Sequence, residues 1–135
     1  MNLWQSMNIS ASGLTAERFR IDLVASNLAN VESTAARPGG AAFQRQLAYF
    51  QEAWGADGPA GVVVAGVYRD PRPGPVEYQP GNPAADAQGY VQLPNVDPTS
   101  EAVDLLAASR AYEMNATAFS VGRDLFRQGL AIGQA

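Results

Sequence analysis

The sequence contains no cysteine, no histidine and no lysine, and its nine basic residues are all arginine. Those absences remove whole classes of chemistry. A Ser-His or Cys-His nucleophile, a Ser-Lys dyad and a lysine Schiff base cannot be assembled from what is left. Zinc sites of the ordinary Cys/His kind are excluded. Disulfides are excluded as well, so cysteine says nothing about the redox compartment. Against the arginines stand 13 acidic residues, for a formal net charge of −4. With no basic cluster, binding to a nucleic-acid backbone has no electrostatic footing. No uncharged apolar run reaches the roughly 18 residues of a membrane span. The first basic residue is Arg18, so the charged start of a cleavable secretory signal is missing, and the expectation is cytoplasm or a non-classical export route.

What is present is an ordinary globular inventory, 135 residues with 47% apolar side chains, enough for one domain or a small domain with helical arms. The punctuation is uneven. All nine prolines fall between Pro38 and Pro98, and nine of the 13 glycines lie in the same window. Proline breaks helix interiors and glycine weakens them, so the chain reads as two helical ends around a non-helical middle. The expected division is an N-terminal arm over 1–33, a β-rich middle over 34–96 and a C-terminal arm over 97–135, an α+β fold.

In the first arm Met7, Leu14, Ile21 and Leu28 are spaced by seven, and Leu3, Val24 and Val31 fill positions three further on, a heptad-like seam. Ile9, Ala16 and Leu23 form a second row. The last arm starts at Asp97-Pro98, an N-cap followed by proline at the first helical position, with Glu101 placed to suit the helix dipole. Ala107, Ala111, Met114, Ala118, Val121, Leu125 and Ile132 then step by three and four, with Gln128 the polar interruption between the last two. Leu105, Tyr112, Phe119 and Phe126 make another row about 120° around the helix. Two apolar faces on one helix require neighbours on two sides. At 1.5 Å per residue each arm spans roughly 40–50 Å, longer than the roughly 35–40 Å diameter of a globule this size. The second faces are therefore expected to meet other chains.

The middle reads as short strands and turns. Phe43 to Phe50 is β-compatible, Gly61 to Tyr68 is the best strand by β-branched content, and Val76 to Tyr78 and Tyr90 to Leu93 are shorter candidates. Asp70 to Pro75 and Pro80 to Pro83 carry turn chemistry.

Few residues suggest a reaction. Gly55, Gly58 and Gly61 are three apart but lead into a strand with no lysine, so no phosphate loop is expected. Asp86 and Asp97 as an acid–base pair compete with the plainer reading that one caps a turn and the other a helix. No EF-hand spacing occurs, and no cofactor or metal is expected. Two matches to the glycosylation acceptor pattern, at Asn8 and Asn115, fall in expected helices and read as chance. Arg110, Arg123 and Arg127 are expected to be solvated or in local pairs with Asp104, Glu113 and Asp124, with pairing to neighbouring chains as the alternative. Asn27 and Asn30, one turn apart at a helix exit, leave two readings open. Asn30 caps the helix with Asn27 solvated, or the amides bond across a packed seam and fix its register.

Ser12-Gly13-Leu14-Thr15-Ala16 with Ala25-Ser26-Asn27-Leu28-Ala29-Asn30 resembles the N-terminal signature of bacterial flagellar axial proteins. Tyr78 to Val91, Leu93 to Asp97 and Glu101 to Asn115 narrow the resemblance to the flagellar basal-body rod protein C family. It runs over nearly the whole chain in family order and is weakest over Thr34 to Ala60. The resemblance implies a non-enzymatic subunit of the proximal rod, which transmits torque from the membrane ring toward the distal rod and hook. It implies terminal helices packed in coiled-coil layers and a small outer β-domain. The implied partners are copies of itself, other rod subunits, an adaptor at the ring or rod base, and the type III export apparatus, through which the chain leaves without signal cleavage. The implied location is the basal-body rod in the periplasmic space.

Joined to the spacing argument, this gives an expected assembly interface of Leu3, Met7, Leu14, Ile21, Val24, Leu28 and Val31 on one arm. On the other it takes Ala107, Met114, Val121, Leu125 and Ile132 with Tyr112, Phe119 and Phe126. Asn27, Asn30, Pro80, Gly81, Asp86, Gly89 and Asp97 are the expected motif and turn residues. Another rod or hook protein of the same superfamily is the near alternative. A soluble helical adaptor or export chaperone is the alternative of a different class.

Overall fold

A computed structural model describes residues 2–35, 37–56 and 58–133. Two long helices enclose a strand-rich middle in the order α1 (Leu3–Ala29), β1 (Gln46–Gly55), β2 (Gly58–Arg69), β3 (Val76–Tyr78), β4 (Tyr90–Gln92) and α2 (Pro98–Gly133). The fold is α+β. Strands β1 and β2 pair as one two-stranded sheet, and β3 and β4 as another. Two residues separate β1 from β2, a connection that only an antiparallel pair can use.

The helix starts follow from side-chain capping. Asn2 Oδ1 accepts the Gln5 N–H at 2.7 Å at the head of α1. Asp97 accepts the N–H groups of Thr99 and Ser100 at 3.3 and 3.1 Å, and the Ser100 hydroxyl at 2.5 Å, ahead of Pro98. Those bonds satisfy donors that the first helical turn leaves open. The Ser100 hydroxyl, then the two backbone donors, hold the Asp97 carboxyl below the usual range.

The chain forms two compact units, each taking a stretch of both long helices. The first comprises Met1–Ile21, Ala48–Gly66 and Leu106–Ala135. Here α1 and α2 approach so closely that added Cβ atoms would clash. One at Gly13 would lie 2.8 Å from Asn115 Nδ2, and one at Gly122 would lie 2.7 Å from Met7 Cγ. Contacts of residue 13 with 115 and of 7 with 122 mean that the helices run antiparallel. Met7, Ala16 and Ala108 are its buried apolar side chains among the described residues. The hairpin is tied to α1 by polar bonds. Gln5 Nε2 donates to the Pro59 carbonyl at 3.0 Å, and the Val62 N–H donates to Ser12 Oγ at 3.0 Å. The Ser12 hydroxyl in turn donates to the Ile9 carbonyl at 2.7 Å. Gly61 makes this contact possible. Its φ is +122°, and a Cβ there would sit 2.0 Å from Ser12 Oγ, so any side chain would be both strained and blocked.

The second unit comprises Asp22–Leu47 and Val67–Leu105. Its sheet pairs Val76 with Gln92, Glu77 with Val91 and Tyr78 with Tyr90, antiparallel. The Tyr78 and Tyr90 rings meet edge to face, centroids 5.3 Å apart, a favoured aromatic geometry. Val24, Ala84, Val91 and Val96 are buried. Pro80 and Gly81 occupy the centre of a turn closed by the Asn82 N–H to the Gln79 carbonyl at 3.0 Å. Asp86 Oδ1 accepts the N–H groups of Gln88 and Tyr90, each at 2.9 Å. Gly89 follows with φ +86°, a conformation L side chains rarely adopt, where a Cβ would press on Tyr78.

Candidate functional site

Two features stand out, one in each unit. In the second unit, polar side chains close into a buried latch. Asn27 is 1% exposed and Glu101 is 0% exposed. The Asn27 amide imitates a strand neighbour to Gln46: its Nδ2 donates to the Gln46 carbonyl at 2.8 Å, and its Oδ1 accepts the Gln46 N–H at 2.9 Å. The same Nδ2 donates to Glu101 Oε2 at 3.0 Å. The other Glu101 oxygen accepts from Arg45 Nε, and Arg45 Nη2 reaches Asp104 Oδ2 at 2.7 Å. Burial alone would lower the Arg45 pKa, but the bond and charge of Glu101, followed by Asp104, hold it above the ordinary value. One asparagine thus joins α1 to the start of β1 and to α2. Every polar group drawn in finds a partner, as low-dielectric surroundings require.

The latch extends through Asn95. Its Oδ1 accepts the Arg45 N–H at 2.7 Å, while its Nδ2 donates to the carbonyls of Asp70 and Arg72 at 3.0 and 2.8 Å. Asp70 is buried and accepts the Arg72 guanidinium, at 2.5 Å from Nη2, together with the Arg72 N–H at 3.0 Å. The side-chain bond from Arg72, then its backbone bond, lower the Asp70 pKa from 3.8 to about 2. A carboxyl depressed in the folded state contributes stability that is complete above its ordinary pKa and is lost as pH falls through the folded value. The denaturant midpoint, followed by circular dichroism, is therefore expected to fall between about pH 4 and pH 2. Asp70→Asn is expected to flatten that part of the curve.

In the first unit, α2 leaves a long apolar stripe uncovered. Met114 is 73% exposed, Val121 53%, Leu125 52% and Ile132 78%. Leu106 and Leu130 are exposed too. The inward face is a different row. Ala108 and Gly122 are buried, with Asn115 half-buried midway between them.

Of the remaining residues expected at an interface, Met7 and Val24 are buried, while Leu3, Leu14, Ile21, Leu28, Val31 and Phe119 are half-buried. Ala107, Tyr112 and Phe126 are exposed. Asn30 caps α1 locally, its Nδ2 donating to the Ser26 carbonyl at 2.8 Å. Asn27 is the amide that crosses to other elements. The local pairs expected for the α2 arginines form only in part. Arg123 lies 3.3 Å from Asp124, whereas Asp104 is turned to Arg45. Sequence reading missed Arg45, Asn95 and Asp70, and gave Glu101 only a dipole role. The one available signal was a carboxylate one heptad before Ala108, on the helix face that packs inward.

Among the described residues no group of three or more acidic side chains could hold a metal, and no helix is long and apolar enough to cross a membrane. Residues 7–35 match the family described as flagella basal body rod protein, and residues 87–132 match the flagellar basal body rod FlgEFG protein C-terminal family. The chain is similar to the flagellar basal-body rod protein FlgC of Borreliella burgdorferi, 39% identical over 154 residues and 99% of both chains. It is 40% identical over 131 residues to that of Aquifex aeolicus, covering 95% of each chain. To that of Bacillus subtilis it is 35% identical over 150 residues, covering 99% of this chain and 100% of the other.

Proposed function

Because this chain belongs to the flagellar basal-body rod protein FlgC family, we propose that it bears torque in the proximal rod through helices packed on several sides. The chain is a structural subunit of the bacterial flagellar basal-body rod, assembles with other rod subunits and resides in the basal body. The observation that supports a torque-bearing role is the exposed α2 stripe of Met114, Val121, Leu125 and Ile132. Long helices packed at crystal-like density have little freedom to slide. A head-to-tail contact that does not close builds a filament rather than a ring.

On this reading the interface takes the half-buried Leu3, Leu14, Ile21, Leu28 and Val31 from α1 and its exit, while Met7 and Val24, expected there too, are already buried within the chain and serve its own core. From α2 it takes the stripe with Ala107, Tyr112, Phe119 and Phe126. Arms that complete their packing only on docking keep the chain from polymerising early. They also suit passage through the type III export apparatus without signal cleavage. An adaptor at the ring or rod base is the further partner. Cells lacking the chain are expected to build no rod and not to swim. Restoring the wild-type chain restores both, whereas a chain with aspartate at positions 121 and 125 does not. A swimming strain without the chain would overturn the proposal.

A further inference from the structure

The first unit holds a cleft of about 380 Å³ between α1, the hairpin and α2, with Ile9, Phe50, Pro59 and Val62 among its apolar walls and Glu17 and Glu52 as its charges. Glu17 Oε2 is buried and makes no hydrogen bond, and its ion pair with Arg20 Nη1 is 3.7 Å long. That is too long for a hydrogen bond. A buried carboxylate oxygen without a donor is costly. The cleft lining carries two carboxylates and, among the described residues, no cation, so it favours an occupant that brings N–H donors, positive charge and apolar flanks.

The chain itself carries such a segment. Arg110 is exposed on α2 and has no ion pair among the described residues. Leu106 and Met114, both exposed, lie four residues to either side of it, on the same helix face and about 6 Å away along the axis. Asn115, which lines the cleft, is five residues from Arg110, or roughly 140° around the helix. Arg110 thus faces away from its own cleft, and only another molecule brings the two together.

We propose that the cleft receives the Leu106–Arg110–Met114 face of α2 from a second copy of this chain, with the Arg110 guanidinium on Glu17 and Glu52. The mode is a helix laid in a groove, and the charge pair sets register and partner choice as interfacial charges do. The contact is heterologous, because groove and helix face are different patches of one molecule, so it propagates instead of closing. This deepens the rod reading and rests on it.

The absence of cysteine makes the test clean. Single variants Glu17→Cys and Arg110→Cys, co-expressed in cells lacking the chain, are expected to be joined into a dimer by a cleavable bismaleimide in isolated basal bodies, because a glutamate–arginine pair holds its Cβ atoms farther apart than a direct disulfide spans. Neither variant alone gives that band. Arg110→Glu is expected to lower the rod-incorporated chain at least tenfold, and so is Glu52→Arg, whose side chain is exposed and leaves the fold alone. The double reversal is expected to restore at least half. Basal bodies that contain both cysteine variants but no 17–110 dimer would overturn the contact while leaving the rod role intact. So would a double reversal no better than either single variant. A wild-type chain absent from basal bodies would overturn the rod reading itself.

Discussion

Glu101→Ala is expected to destabilise the chain by about 3–5 kcal/mol, the usual consequence of removing one partner from a buried ion pair. Two bonds are lost together. Arg45 keeps only Asp104 as a carboxylate partner, and Asn27 loses the acceptor that anchors it to α2. A domain of this size has a total stability of about 5–15 kcal/mol, so the variant loses a large fraction of it. Glu101→Gln preserves an acceptor for Asn27 but not the charge, and is expected to fall between wild type and alanine. In a double-mutant cycle with Arg45→Met, the two changes are expected to couple by about 0.5–3 kcal/mol. Urea unfolding followed by circular dichroism measures all three. A loss below about 1 kcal/mol for Glu101→Ala, no more than an ordinary hydrogen bond, would show that the latch does not hold this unit together.

Aspartates at Val121 and Leu125 are expected to have the opposite profile. Both side chains are more than half exposed in the isolated chain, and exposed positions tolerate substitution within about 0.5 kcal/mol. In an assembly each contributes about 1.5–3 kcal/mol of burial. The substitution adds two unpaired charges to an apolar seam. Isolated chain stability should therefore be nearly unchanged while incorporation into rods falls by about 100-fold or more, as a loss of at least 3 kcal/mol implies. Quantifying the chain in purified basal bodies, beside urea unfolding of the free chain, separates the two effects. Equal losses in both would mean that the stripe packs within the molecule.

Some of this architecture was legible in the residues. The three-and-four steps of large apolar side chains marked the α2 stripe, and the β-branched run at 61–68 marked the heart of β2. The proline window separated helix from strand. The inner face of α2 was not legible, because Glu101, Ala108, Asn115 and Gly122 recur every seven residues without any hydrophobic signal. Their importance lies in being small enough for α1 to approach, or charged and matched to Arg45. Arg45 stands in a stretch that reads as a strand edge, and its partners lie 56 and 59 residues away. No local pattern predicts such a pair. Strand β1 extends to Gly55 beyond the β-compatible run because pairing with β2 carries polar residues into the sheet. The two readings of Asn27 and Asn30 divide between them: Asn30 makes a local cap, and Asn27 bonds across elements. Signature residues Ser12, Gly13 and Asn27 all act inside the molecule, seating the hairpin and α2 against α1. The two helices do meet within one chain, but the contact covers one face of α2 only.

That uncovered face is most directly tested by amide hydrogen exchange on the dilute chain and on assembled rods. Residues 106–132 are expected to exchange roughly a hundredfold or more slowly in the assembly than in the free chain, while amides around Gln46 and Glu101 are already protected in both. Full protection of 106–132 in the dilute chain, unchanged in the rod, would contradict the account.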